Sequence, residues 1–159
     1  MTNKACFVLQ ITAAVLLIAA MIFFMVYCCD VTLPQMRDHY YSNLETGTGM
    51  YGVIVILIFM AVAAIYVIFG ICGILTGVYM FVISLVLNKK QPRRFGQIAL
   101  YTIAQLFLIL IALVNIVFAI NGGVEYLIIA MVSGVSCLLW AAQFFAIASH
   151  MKSKTTNTH

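Results

Sequence analysis

Charged side chains are scarce in this sequence of 159 residues, since eight Lys and Arg and four Asp and Glu amount to 8% of the chain. Hydrophobic residues make up 65%. A soluble domain of this length covers its surface with polar side chains, and twelve charges cannot do so. The composition excludes an ordinary soluble domain. It predicts an all-α fold, a polytopic transmembrane helical bundle with the lipid bilayer as its first partner.

Signatures of catalysis and of cofactor or metal binding are also missing. The sequence has no nucleophile elbow, no P-loop and no HExxH zinc motif. Its five cysteines have neither zinc spacing nor a CxxC pair. No ionisable residue lies at the centre of an apolar run, where proton relays and intramembrane proteases need one. No basic stripe alternates with aromatic residues, so nucleic acid is not an expected partner. We therefore expect a protein that is not an enzyme and that holds no cofactor or metal.

What the sequence does contain is a series of long apolar runs. Residues 1–150 are predicted to form a single transmembrane domain, and residues 151–159 a polar cytoplasmic tail. Residues 30–49 are the longest polar segment, and we predict a loop there because Pro and Gly interrupt it. The five predicted spans cover residues 5–29, 49–69, 74–88, 96–120 and 126–149.

The number of spans depends on Met50–Leu87, which has no charge over 38 residues. As one helix it would be about 57 Å long, whereas the hydrocarbon core is about 30 Å thick. We favour five spans, with a turn at Gly70–Gly73, because glycine is a poor residue for a helix interior. The alternative is four spans, with one long kinked second helix. The segment contains no Pro, Asn or Asp to make a strong turn, which weakens the five-span prediction.

The basic residues predict the orientation. Lys89, Lys90, Arg93 and Arg94 crowd one short loop, residues 88–95, and the tail adds two more lysines. By the positive-inside rule, this loop and the carboxyl terminus are cytoplasmic in both the five-span and the four-span interpretation. The two interpretations differ on the side of the membrane that residues 30–49 occupy.

Neutral polar residues form two stripes inside the predicted spans. One stripe repeats every four residues, and the other follows 3-4-3 spacing, so each lies on one helix face. The first consists of Gln97, Tyr101 and Gln105; the second consists of Ser133, Ser136, Trp140 and Gln143. We expect hydrogen bonds between helices from these stripes, at about 0.6 kcal/mol each. The alternative is a polar path for a small solute.

Small residues and cysteines give weaker signals. Gly73 and Gly77 form a GxxxG pair, which lets two helix backbones approach closely, within one chain or between two. Cys28 and Cys29 lie at a predicted membrane boundary, where they are candidates for lipidation if the following segment is cytoplasmic.

Two hypotheses on function follow from these patterns. The first is a non-enzymatic subunit, scaffold or regulator of another membrane protein, or of a homo-oligomer, acting through helix–helix packing. The second is an oligomeric channel or carrier for a small uncharged solute.

Overall fold

The structure is a computed structural model that describes the backbone of residues 3–44, 50–89, 94–121 and 123–156. It describes the side chains of residues 6–39, 52–86, 99–120 and 123–143. Within these ranges there is no strand, so the all-α prediction is confirmed. The elements are α1 (Asn3–Tyr27), a π-helical turn (Cys28–Thr32), α2 (Leu33–Leu44), α3 (Met50–Lys89), α4 (Arg94–Asn121) and α5 (Val124–Thr156).

Four helices are long and apolar enough to cross a membrane. They cover Cys6–His39, Gly52–Val86, Ala99–Ile120 and Val124–Gln143. A multi-pass helical membrane protein is therefore supported, while the predicted fifth span is not confirmed. α5 also continues to Thr156, so part of the predicted tail is helical.

The predicted turn at Gly70–Gly73 is absent, because α3 is one helix of 40 residues. The predicted spans 49–69 and 74–88 are two parts of this helix. Glycine lowers helix propensity by about 1 kcal/mol relative to alanine, but tertiary packing regularly overrides that preference. Here the glycines lie against α1, where their missing side chains permit close contact.

The predicted loop at residues 30–49 is also wrong for the part that the structure describes. α1 continues through the π-helical turn into α2, which ends at Leu44. The Leu33 amide donates to the Cys28 carbonyl, five residues back. Pro34 has no amide hydrogen to donate, and one wide turn before it lets the helix continue past it. The sequence signal of Pro34 therefore marks an irregular turn within a helix.

The helices pack as an antiparallel bundle in which α1 lies between α3 and α5, and α4 packs mainly on α5. The interior is filled by large side chains with almost no exposure, including Leu17, Met21 and Phe24 of α1 and Trp140 of α5. Together they form the centre of the bundle between all four long helices.

An aromatic cluster closes one end of this bundle. Phe24, Tyr66, Phe69, Phe118 and Tyr126 bring together α1, α3, α4 and α5, with ring centroids 4.9 to 6.1 Å apart. Tyr66 is the sixteenth residue after Met50, so the first part of α3 extends beyond the cluster. α2 packs on α3. Because α1 and α3 are antiparallel and Met25 lies against Gly70, the continuation of α1 into α2 lies beside the first part of α3. We call α2 together with residues 50–65 the projecting hairpin.

Candidate functional sites

The glycines Gly70, Gly73 and Gly77 form a seam on α3 that faces α1. A Cβ atom placed on Gly70 would collide with the Met25 side chain, and one on Gly73 would lie 2.7 Å from Met21 Cγ. At Gly77 it would lie 2.5 Å from Ile18 Cγ1. The structure thus places the GxxxG pair in a contact within one chain, where no side chain larger than hydrogen fits without movement.

The first polar stripe, on α4, forms hydrogen bonds with α1 and with α5. Gln10 Nε2 donates to the Tyr101 hydroxyl at 2.5 Å, and Trp140 Nε1 donates to the Tyr101 carbonyl at 3.4 Å. One turn further along α4, Gln105 Nε2 donates to Cys137 Sγ at 3.3 Å. The side chain of Gln97, the third member, lies outside the described residues.

The second polar stripe lies in the bundle interior. Ser136 Oγ donates to the Ala13 carbonyl at 2.7 Å and joins α5 to α1. Ser133 Oγ donates to the Ala130 carbonyl and accepts a hydrogen bond from Asn115 Nδ2 at 3.2 Å. Asn115 is outside the two predicted stripes. Asn115 faces α5 because α4 and α5 pack together. The spacing of residues along one helix does not predict which helices pack together.

Several buried amide atoms are left without a partner among the described residues. Both amide atoms of Gln143 are in this group, and its side chain is 1% exposed. Gln105 Oε1 and Asn115 Oδ1 are the others. A buried polar atom without a hydrogen bond is costly, so these four atoms are the interior polar groups whose hydrogen bonding the described residues leave incomplete.

The two adjacent cysteines have different surroundings. Cys28 is buried and its Sγ lies 3.6 Å from the Tyr126 hydroxyl, which also shares a 2.5 Å hydrogen bond with Thr32. Cys29 is exposed on the same turn. Of the two lipidation candidates, only Cys29 has a thiol at the surface. The contact of Tyr126 with the π-helical turn joins residues 94 or more positions apart, so no local sequence pattern predicts it.

Two of the four basic residues that predict the orientation, Lys89 and Arg94, lie at the opposite end of the bundle from the aromatic cluster. Lys89 is the last residue of α3 and Arg94 the first residue of α4. Lys90 and Arg93 lie outside the described residues.

α3 is the least covered of the four long helices, and its outer face is apolar. In the most apolar 18-residue stretch of α3, only 6% is buried, compared with 28% to 39% in the corresponding stretches of the other three long helices. Large aliphatic side chains that are about 60% exposed recur along it: Val53, Leu57, Met60, Ile65, Ile68 and Leu75. The sequence does not reveal this surface, because α3 is apolar on all sides and its hydrophobic pattern does not distinguish the covered face from the open one.

Among the described residues, no group of three or more His, Cys, Asp or Glu side chains is placed to hold a metal ion. The chain matches no protein-family model, no curated protein and no solved structure.

Proposed function

We propose that this chain is a non-enzymatic subunit, scaffold or regulator of a membrane protein complex, and that it acts through helix–helix packing. The observation that supports the proposal best is the open outer face of α3. Its side chains are aliphatic and uncharged, and the glycine seam on the opposite face is already occupied by α1. A second helix packing on α3 would gain van der Waals contact without displacing any contact inside the chain.

The proposed orientation places Lys89, Lys90, Arg93, Arg94 and the carboxyl terminus in the cytoplasm. Four crossings then place the amino terminus on the same side and the projecting hairpin outside. The positive-inside count supports this arrangement, with seven Lys and Arg inside and only Arg37 outside. Cys29 then lies near the external boundary of the membrane, where the predicted cytoplasmic lipidation would not reach it.

Labelling of a single cysteine tests this orientation. In a background without the five native cysteines, we expect Arg37→Cys to react in intact cells with a maleimide that does not cross membranes. A cysteine in place of Lys152 should react only after the cells are opened. The reverse pattern would contradict the proposed orientation.

Co-purification tests the proposed function itself. The chain is extracted from its native membranes in a mild detergent, after photocrosslinking through a probe at Leu57, Ile68 or Leu75. We expect a specific adduct from these positions on α3. A probe at Leu138, which is 71% exposed on α5, is the control. A chain that stays free at every α3 position, in membranes and in detergent, would contradict the proposal.

The second candidate is an oligomeric channel or carrier for a small uncharged solute. The unpartnered amide atoms of Gln143 and Gln105 favour it, because they offer both a donor and acceptors to such a molecule. Replacing both glutamines with leucine should abolish flux in reconstituted vesicles. Unchanged flux, with the fold retained, would remove this candidate.

A further inference from the structure

In the projecting hairpin, an aliphatic surface of α3 and exposed charged residues lie at the same level along the bundle axis. Asp30 is exposed just after α1, and Arg37 and Asp38 of α2 have side chains that are 57% and 71% exposed. Glu125 lies at the same end of the bundle, at the start of α5. Exposed charges such as Asp30, Arg37 and Asp38 do not lie in hydrocarbon, so the bilayer ends near the aromatic cluster. The part of α3 that lies beside α2 is therefore outside the hydrocarbon.

That part of α3 is nevertheless as apolar as the rest of the helix. From Val53 to Ile65 it contains no charged residue and no hydroxyl or amide side chain. Val53, Leu57 and Met60 are 60% to 62% exposed, and their 4-3 spacing puts them on one helix face. Lipid tails cannot cover this face, because it lies beyond the boundary that the charges of α2 define. A contiguous apolar surface in water marks an interaction site.

The length of α3 also indicates that part of this apolar helix lies outside the hydrocarbon. The apolar segment Gly52–Val86 has 35 residues, which corresponds to about 52 Å of helix. A helix tilted by 40°, the upper end of the usual range, fits about 26 residues into 30 Å of hydrocarbon. Roughly nine apolar residues remain outside even then. The partner must therefore offer an apolar helix that also continues past the membrane boundary.

We infer that the partner is a second copy of this chain, packed through the outer face of α3 in a parallel homodimer. An ordinary span of about 20 residues ends at the boundary and cannot cover the projecting part. A second α3 has the required length, and a two-fold axis along the membrane normal holds both copies at the same height. The 4-3 spacing of Val53, Leu57 and Met60 suits a left-handed helix pair. The face has no charge, so the contact leaves no ion unpaired.

This inference rests on the proposed function and specifies its partner. Disulfide crosslinking in native membranes tests it, in a background without native cysteines. We expect Val53→Cys, Leu57→Cys and Met60→Cys to give adducts of twice the 17.6 kDa chain mass, at least ten-fold more than Asp38→Cys. Asp38 is the matched control, because it is as exposed and lies on the other helix of the same hairpin.

A disrupting variant keeps the test independent of cysteine chemistry. Leu57→Glu combined with Met60→Glu should lower co-purification of two differently tagged copies at least ten-fold. Because both positions lie outside the hydrocarbon, the fold should tolerate these charges, and the helical circular dichroism should be unchanged. Equal crosslinking at Asp38, undiminished co-purification of the double variant, or no adduct at all would overturn the homodimer. An adduct of a different mass would also overturn it, but it would leave the proposed function standing with another partner.

Discussion

At the scale of single residues, Gly77 shows how one missing side chain sets the distance between α1 and α3. A Cβ atom there would lie 2.5 Å from Ile18 Cγ1 and 3.4 Å from the Ala14 carbonyl oxygen. Ile18 is branched and its Cγ1 is not a free chain end, so the space cannot be opened by a small rotation. Gly77 therefore contributes through packing.

We expect Gly77→Ala to lower the free energy of unfolding by about 1–3 kcal/mol, because the added methyl group overpacks the contact with α1. Gly134→Ala is the matched control, since no described atom lies within 4 Å of a Cβ placed there. The control should be neutral or stabilising by up to about 1 kcal/mol, as alanine is the better helix former. Unfolding in mixed micelles measures both. Equal effects of the two variants would contradict a packing role for Gly77.

Ser136 and Ser84 make a second matched pair. Both are fully buried, and each hydroxyl donates to a backbone carbonyl at 2.7 Å. The bond of Ser136 crosses to Ala13 on α1, whereas that of Ser84 stays within α3 at Met80.

We expect Ser136→Ala to lower the free energy of unfolding by about 0.6 kcal/mol, the usual value for a hydrogen bond between membrane helices. Ser84→Ala should change it by less, because no contact between helices is lost. The same unfolding assay compares them. A larger loss from Ser84→Ala would show that the hydroxyl of Ser136 does not hold α1 and α5 together.

The polar stripes were the part of the interior that the sequence could predict. Their spacing predicts one shared helix face, and Ser133, Ser136 and Gln143 of α5 are buried. The hydrogen-bond partners of the two stripes could not be predicted. Gln10 and Ala13 come from α1, more than ninety positions away from the groups they contact. Helix periodicity gives the direction of a side chain, but only packing supplies its partner.

At the scale of elements, the structure corrects two breaks that the sequence suggested. Glycine at 70 and 73 and proline at 34 are both typical of helix ends, yet α3 passes through the glycines and α1 continues past the proline. In the first case the glycines serve close packing with Met21 and Met25. In the second case, a π-helical turn before Pro34 lets the helix continue although Pro34 has no amide hydrogen to donate. Whether a helix continues past these residues depends on the neighbouring helix or on a local change of helix type. The helix propensity of single residues describes neither.

Tyr126 contacts the π-helical turn that joins α1 to α2. Its hydroxyl meets Thr32 and Cys28, which lie on either end of that turn. We expect Tyr126→Phe to increase hydrogen exchange in α2 severalfold, because the ring stays packed while the tie to the turn is lost.

Exchange of the amides of residues 35–44, measured by mass spectrometry, tests this role of Tyr126. Tyr66→Phe is the control, since it alters the same aromatic cluster and leaves both contacts of Tyr126 in place. Faster exchange in both variants would point to the cluster as a whole, and unchanged exchange in Tyr126→Phe would contradict the role of its hydroxyl.

At the scale of the whole molecule, the continuity of α3 determines the topology. Composition alone predicted a helical membrane protein, because twelve charges cannot cover a soluble fold. The number of crossings could not be predicted in the same way, since a 38-residue apolar run fits either one long helix or two short ones. In the topology that we propose, the four long helices each cross the membrane, and α2 and the first part of α3 lie together on one side of it.

The distance between spin labels at Leu57 and Val82 tests this arrangement most directly. Both side chains are exposed, so cysteine replacement and labelling leave the core intact. The labelled chain is diluted with unlabelled chain in lipid nanodiscs, so that only distances within one molecule are measured. A continuous α3 separates the two positions by about 37 Å, at 1.5 Å per residue. A distribution centred there is the predicted result. One centred below about 15 Å would mean that the chain turns at Gly70–Gly73, and it would contradict the continuous helix on which the topology and the dimer surface depend.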